Sequence, residues 1–389
     1  MDSMNVNTDR KRRLRFRGRF EQIPIYLGKL LRSFVFMNDW KVLPMSAIIA
    51  ALVAMVVRKD FFLTMEGTLK GALAMSCISI WNGCFNSIQS ICRERNIIKR
   101  EHRSGMHITS YVFAQMIYQF FLCLAQSVVT VYVCKLAGIQ FPKEGFITPY
   151  MEVDIGITVF FITYASDMLS LLISSLSRTT TAAMTVIPFV LIFQLIFSGG
   201  IFSLPSWATN ISDYTISNYG LRCIAEQADY NNLPMVTGWN TLNKVRDSEI
   251  VYITTVGELT DALSSHVTKE TDETLEKNNA ESTETGPEQI DNLFETVQSA
   301  AAYADTVLTE EARNEKVKVA FTIDQLMEIV GEERVKEAVQ QKTAETARQP
   351  IYERTTMNII GCWLKLALFA LLFALLTIIN LEFIDKDKR

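Results

Sequence analysis

The sequence predicts an all-α membrane protein. Six transmembrane helices are expected, with an amphipathic helix ahead of the first and a large extracytoplasmic insert, mainly helical or α+β, between the fifth and sixth. Three observations carry this prediction. Long apolar runs concentrate in residues 40–204 and 358–381, whereas 205–357 is polar, acidic and poor in aromatics. Six runs approach or exceed the roughly 20 apolar residues that a helix needs to cross a hydrocarbon layer about 30 Å thick. Basic residues crowd the loops that an even number of spans places on one side. The average composition hides this segregation, because 49% hydrophobic residues and a net charge of -4 over 389 residues would suit a soluble protein.

The N-terminal stretch KRRLRFRGR (11–19) leads into the amphipathic IPIYLGKLLRSFVF (23–36). A short apolar run ending in small residues is absent there, so no cleavable leader is expected. The spans follow as Trp40–Val57, Leu69–Cys92, His107–Leu136, Ile155–Leu176, Thr180–Leu204 and Asn358–Leu381, the first short and the third long enough to tilt. Lys11–Arg19 beside the first span makes that side, and with it both termini, cytoplasmic. Arg93, Arg95, Lys99, Arg100 and Arg103 then fall inside, as does Arg178, while the loops 58–70 and 135–154 and the insert fall outside. The expected divisions are 1–39, 40–204, 205–357 and 358–389.

Within the insert, VYITTVGELTDALSSH (251–266) offers a strand and a helix, DNLFETVQSAAAYADTVL (291–308) is amphipathic, and FTIDQLMEIVGEERVKEAVQQKT (321–343) reads as two short helices around Gly331. Thr268–Glu288 lacks apolar periodicity and is expected to be a loop. The seven cysteines contain no CxxC pair, and six lie in or beside apolar runs, leaving only Cys223 in the insert, so they read as small buried hydrophobes. His102, His107 and His266 are too scattered for a metal site. Basic residues that hug the membrane, with no aromatic stacking platform, give no sign of nucleic-acid binding. The sequon at Asn210 has meaning only in a glycosylating host.

Polar residues inside the spans are the first candidates for function. Asp167 lies about ten residues before Arg178, hence about 15 Å into the membrane. A carboxylate there is costly unless paired, protonated or used, and Lys365 is a candidate partner that could instead snorkel outward. Asn82, Asn86 and Gln89 share one side of span two and suit either an interhelical bond or a polar path. Phe189, Phe193 and Phe197 recur every four residues on span five, as a cavity wall or a lipid-facing stripe would. Pro188 is expected to kink that span, and Ser198-Gly199-Gly200 to permit close approach near its outer end.

The loop RERNIIKREHRSGMH (93–107) is dense enough in charge to form a helix beneath the membrane that docks a partner, or a solvated loop touching anionic lipid. From Phe34 to Tyr230 the chain resembles a known family, on three segments. The amphipathic 23–36, RERNIIKREHRSGMHITSYVFAQ, and FSGGIFSLPSWATNISDYTISNYGLRCI occur in the order and spacing of the permease half of G-subfamily ABC exporters, a branch of the type-2 ABC permeases. The ending YERTTMNIIGCWLKLALF…LEFIDKDKR resembles bacterial members, including some fused to forkhead-associated and ATPase domains.

The resemblance implies a homo- or heterodimer of six-span halves in a bacterial plasma membrane. Residues 20–37 would be a connecting helix and 93–105 a coupling helix. Contact with an ABC ATPase subunit would rest on Glu94, Arg95, Arg100 and Glu101, with Gly105 permitting the break before span three. Glu21, Asn86 and Arg100 would form a polar relay. Spans two and five would line the substrate path with Asn82, Phe85, Asn86, Phe189, Phe193 and Phe197. No GxxxxGK[ST] phosphate loop occurs and residues 1–22 are too few for an ATPase domain. No cofactor is therefore expected on this chain, and ATP and Mg are expected in a partner, whether a separate gene product or part of a longer fusion. The expected function is an exporter permease for a hydrophobic or amphipathic substrate. The rival is a signal or force transmitter whose insert binds a ligand, and a secondary carrier is disfavoured because paired interrupted helices are lacking.

Overall fold

The computed structural model describes residues 18–36, 39–200, 205–247, 249–255, 257–258, 314 and 316–383. In chain order these form α1 (Arg19–Phe36), α2 (Val42–Val57), α3 (Met65–Ser87), α4 (Ser90–Arg103), α5 (Ile108–Leu136), α6 (Met151–Leu176) and α7 (Thr180–Ile196). Then come α8 (Ser206–Ser212), α9 (Ile216–Gln227), α10 (Thr237–Lys244), β1 (Glu249–Thr255), β2 (Lys316–Thr322), α11 (Ile323–Val330), α12 (Glu332–Ala347) and α13 (Thr356–Glu382). Two compact units result, one from Met1–Thr237 with Gln340–Arg389, the other from Gly238–Val339.

In the first unit each expected span overlaps a helix, with two corrections. The fifth run, expected over Thr180–Leu204, is helical only to Ile196, where Phe197 caps α7. The run Leu69–Cys92 divides, since α3 ends at Ser87 and α4 begins at Ser90. Helix starts follow from side-chain caps: Thr64, Thr179 and Thr355 accept from the amides of Gly67, Ala182 and Asn358, supplying an oxygen to donors the helix cannot satisfy itself. Helix α7 runs unbroken through Pro188. By length and composition α5, α6 and α13 are long and apolar enough to cross a membrane, while α2 and α7 are apolar but shorter. Helix α3 has 23 residues and a more polar sequence.

The centre of this unit is α3 against α6, whose facing positions are small and polar. A Cβ at Gly83 would collide with the Thr163 carbonyl and the Ser166 hydroxyl, so the two backbones approach as closely as glycine allows. Ser170 Oγ donates to the Cys84 carbonyl at 2.6 Å and Ser87 Oγ to the Asp167 carbonyl at 2.7 Å, satisfying hydroxyls that apolar surroundings would otherwise strand. Helix α9 packs on α3, α6 and α13, burying Ile216, Leu221, Cys223 and Ile224. Cys223 and its neighbours thus belong with the apolar helices, and the second unit begins only at Gly238, later than the boundary at 205 that composition suggests.

In the second unit β1 and β2 pair antiparallel from Glu249 opposite Thr322 to Thr255 opposite Lys316. The expected strand at 251–255 is present, whereas β2 falls where no strand was expected. Helix α11 starts with a capping box, in which Thr322 and Gln325 each bond the other's backbone amide. Gly331, at φ 95°, separates α11 from α12 as the two-helix reading required. Trp239, Ile323, Met327 and Val335 make a small core. Thr268–Glu288, residues 291–308, His266 and the end of the fifth run at 201–204 lie outside the described residues.

Candidate functional site

Helix α4 is fastened to α6 in both directions. The amides of Ile91 and Cys92, in the first turn of α4, both donate to Ser174 Oγ at 3.1 Å. In return Arg95 of α4 donates to the carbonyls of Ser175 and Ser177 at 2.7 and 3.2 Å, at the end of α6 where carbonyls have no helical partner. Asn380 near the end of α13 joins the same point, donating to Ser175 Oγ at 2.9 Å. A displacement of α4 along its axis must therefore carry the end of α6 or break several hydrogen bonds together.

Helix α1 closes the junction from the other side. Lys29 lies 3.0 Å from Glu94 and 3.9 Å from Glu101. The Gln22 amide donates to the Gly105 carbonyl at 3.2 Å and accepts from the His107 amide at 2.9 Å, holding the turn that leads into α5. Gly105 has φ 103°, a region costly for a residue with Cβ. Ser110 Oγ donates to the Arg19 carbonyl at 2.7 Å, and Tyr26 meets Tyr111 edge to face at 5.8 Å. Burial, and then the Glu101 carboxylate, push the Tyr26 phenol up to about 12. The opposite side of α1 leaves Phe20, Leu31, Val35 and Phe36 exposed, as in a helix lying in a membrane interface.

The residues expected at the coupling contact thus divide. Glu94 and Arg95 are engaged within the chain, Glu101 is half-buried with Oε2 lacking a hydrogen-bond partner among the described residues, and Arg100 is exposed. The expected relay is not assembled. Asn86 exchanges two hydrogen bonds with Gln126 of α5, at 2.8 and 3.0 Å, and none joins it to Glu21 or Arg100 among the described residues. Arg100 lies fourteen residues beyond Asn86 with the α3–α4 break between them, and Glu21 is exposed on α1.

Of the expected path residues, Phe85, Phe189 and Phe193 are exposed, and Phe197 is half-buried against Phe193 with ring centres 4.7 Å apart. Trp81 stacks on Phe85 at 5.0 Å and extends that exposed surface. Asn82 departs from the expectation, being buried on the adjacent stripe of α3. Asp167 is fully buried; Oδ2 lies 3.8 Å from Cys123 Sγ, and Oδ1 has no hydrogen-bond partner among the described residues. Lys365 is not its counter-ion, because the Lys365 ammonium sits over the Tyr219 ring at 4.7 Å. No group of three or more His, Cys, Asp or Glu suited to a metal occurs among the described residues.

Sequence reasoning missed Gln22, Lys29 and Ser174, whose importance lies in partners 65 to 85 residues away. It also missed Asp154, which gathers the amides of Phe146, Ile147 and Thr148 at 2.8 to 2.9 Å and so shapes the loop before α6. A cap immediately ahead of its own helix is readable locally, whereas a serine in mid-run that caps another helix carries no local mark.

Residues 4–225, more than half of the chain, match the family model described as ABC-2 type transporter. Over 127 residues the chain is 30% identical to an ABC transporter ATP-binding/permease protein of Mycobacterium tuberculosis. That alignment spans 31% of this chain and 14% of the relative's length.

Proposed function

This chain belongs to the ABC-2 type transporter family, the membrane permease component of ABC transporters, and from that premise we propose that it is the permease subunit of an ATP-driven exporter. Six helices, α2, α3, α5, α6, α7 and α13, cross the bilayer in this reading. The termini and α4 face the cytoplasm, and Gly238–Val339 faces outward. ATP and Mg are handled by an ABC ATPase partner; the relative's name, joining ATP-binding to permease, supports such a partnership. A second permease subunit, identical or not, covers the exposed aromatic residues Trp81, Phe85, Phe189 and Phe193, enclosing a path for a hydrophobic or amphipathic substrate.

The observation that carries this reading is the reciprocal fastening of α4 to α6. A partner that closes on ATP and pushes the exposed side of α4, where Arg100 stands, moves the end of α6 through Ser174 and Arg95. Because α6 packs closely on α3, the motion reaches the helix that bears Trp81 and Phe85. Small displacements are transmitted in this way when packed interfaces have few alternative arrangements.

The test is purification with native partners, followed by ATPase assays in lipid vesicles. An ATP-binding partner is expected to co-purify, and Arg100→Glu to lower substrate-stimulated hydrolysis at least tenfold while the folded yield is kept. Activity unchanged by Arg100→Glu would remove α4 as the coupling element. Orientation is checked by Arg100→Cys, since the native cysteines are buried or half-buried and label poorly. Labelling from the outside would overturn the topology. A second reading, a signal or force transmitter, has support in the separate core of the outer unit. Ligand binding there without ATP-dependent solute movement would favour it.

A further inference from the structure

Beside the coupling junction lies a cavity of about 210 Å³ between α1, α2, α3, α4 and α5. Its lining mixes polar and apolar side chains. Gln115 on α5 lines it and is 2% exposed; its Nε2 donates to the Tyr111 hydroxyl at 3.2 Å, but its Oε1 has no hydrogen-bond partner among the described residues. A buried amide oxygen left so is costly, and a hydroxyl donor in the cavity would relieve it. Arg93 also lines the cavity, is exposed at its rim and makes no ion pair among the described residues. The one carboxylate in the lining, Glu94, is paired with Lys29 and so does not oppose an anion strongly. Leu30, Val42 and Leu122 supply the apolar part of the lining.

We propose that this cavity is a headgroup site for an anionic, hydroxyl-bearing phospholipid of the leaflet in which α1 lies, with phosphatidylglycerol as the simplest chemistry that fits. The phosphate meets the Arg93 guanidinium, whose fork suits two phosphate oxygens. A glycerol hydroxyl donates to Gln115 Oε1, and the glyceride end rests on Leu30, Val42 and Leu122 while the chains follow the exposed apolar side of α1. The inference rests on the reading of α1 as an interfacial helix beside the coupling element, and it makes the lipid a regulator of that junction through Glu94. Water alone would fit by volume, since about seven molecules at about 30 Å³ each fill such a space, but water gives no reason to prefer one headgroup.

The test uses the full chain in detergent micelles and titrates dioctanoyl phosphatidylglycerol, dioctanoyl phosphatidylcholine and glycerol phosphate, reading binding by calorimetry. Phosphatidylglycerol is expected to saturate one site and to bind at least tenfold tighter than either other probe. Arg93→Gln is expected to weaken it about tenfold, Arg93→Lys less, and Gln115→Leu about fivefold. Lys135→Gln, on the opposite end of α5, is expected to leave it unchanged. Three results would each overturn the proposal: equal binding of the two lipids, glycerol phosphate binding as tightly as the lipid, or no saturable binding. Should Gln115→Leu fail to fold, the exposed Arg93 variants decide alone. Neither ATP nor membrane orientation enters the measurement, so its failure leaves the exporter reading standing.

Discussion

The α3–α6 interface and the outward side of α7 are both helical surfaces in apolar surroundings, and they are built in opposite ways. Between α3 and α6 the contacts are Gly83, Ser87, Thr163, Ser166 and Ser170, with hydroxyls bonded to backbone carbonyls across or within the pair. On α7, Ala183, Ile187 and Gln194 are buried, whereas Phe189 is 70% exposed and Phe193 44%. Small polar residues make an interface that is complete inside one chain, because close backbones satisfy one another's groups. Large exposed aromatics make a surface that needs lipid or a second subunit to cover it. The two surfaces should therefore respond differently to substitution, and the expected effects fall in a definite order.

The largest belongs to Gly83→Val. Its added carbons meet the Thr163 carbonyl and Ser166, which cannot yield without separating α3 from α6. A loss of about 3 kcal/mol, the upper part of the usual range for overpacking, is expected, seen as a lowered thermal midpoint and a smaller monodisperse fraction. A wild-type midpoint in this variant would show that the helices do not approach so closely. Next comes Ser174→Ala, which strands the first-turn amides of α4. Removing a helix cap costs about 1 to 2 kcal/mol, so exchange of the Ile91 and Cys92 amide protons should quicken by about five- to thirtyfold. Unchanged exchange at those two amides would mean that α4 is held elsewhere.

These two residues also show what was legible in the sequence. The helices α5, α6 and α13 were readable almost to their ends, because uninterrupted apolar runs of that length have few other folded solutions. The break between α3 and α4 was not readable. No glycine or proline marks residues 88–90, the apolar run continues to Cys92, and the turn is made by the Ser174 cap donated from α6. The same limit explains the candidate site. Glu94, Arg95 and Glu101 stood out as charges on one loop, yet the lysine that pairs with Glu94 and the carbonyls that hold Arg95 come from α1 and α6. Polarity along one segment singles out a candidate stretch, whereas the partner of each charge is a property of the packed fold.

A smaller effect is expected at Lys29→Gln. The pair with Glu94 is 3.0 Å long but partly exposed, and partly exposed ion pairs contribute about 0 to 1 kcal/mol. The midpoint should fall by a degree or two at low salt, and the difference should shrink in high salt as the charges are screened. A drop as large as that of Gly83→Val would mean that α1 is fastened mainly by this pair, and that Gln22, Ser110 and the Tyr26–Tyr111 contact contribute little.

The smallest effect on the chain itself is expected at Phe189→Ala, where the comparison between the two surfaces is decided. Phe189 touches little within the chain, so the stability of the dispersed chain should stay within about 0.5 kcal/mol of wild type, as for most exposed positions. If a second subunit covers α7, removing a ring packed against it should weaken association by about 1 kcal/mol through lost van der Waals packing, near fivefold in the dissociation constant. If lipid covers it, association should not change, because Phe189 then lies outside the contact between subunits. A stability loss in the dispersed chain itself would contradict both, since it would place Phe189 inside the fold.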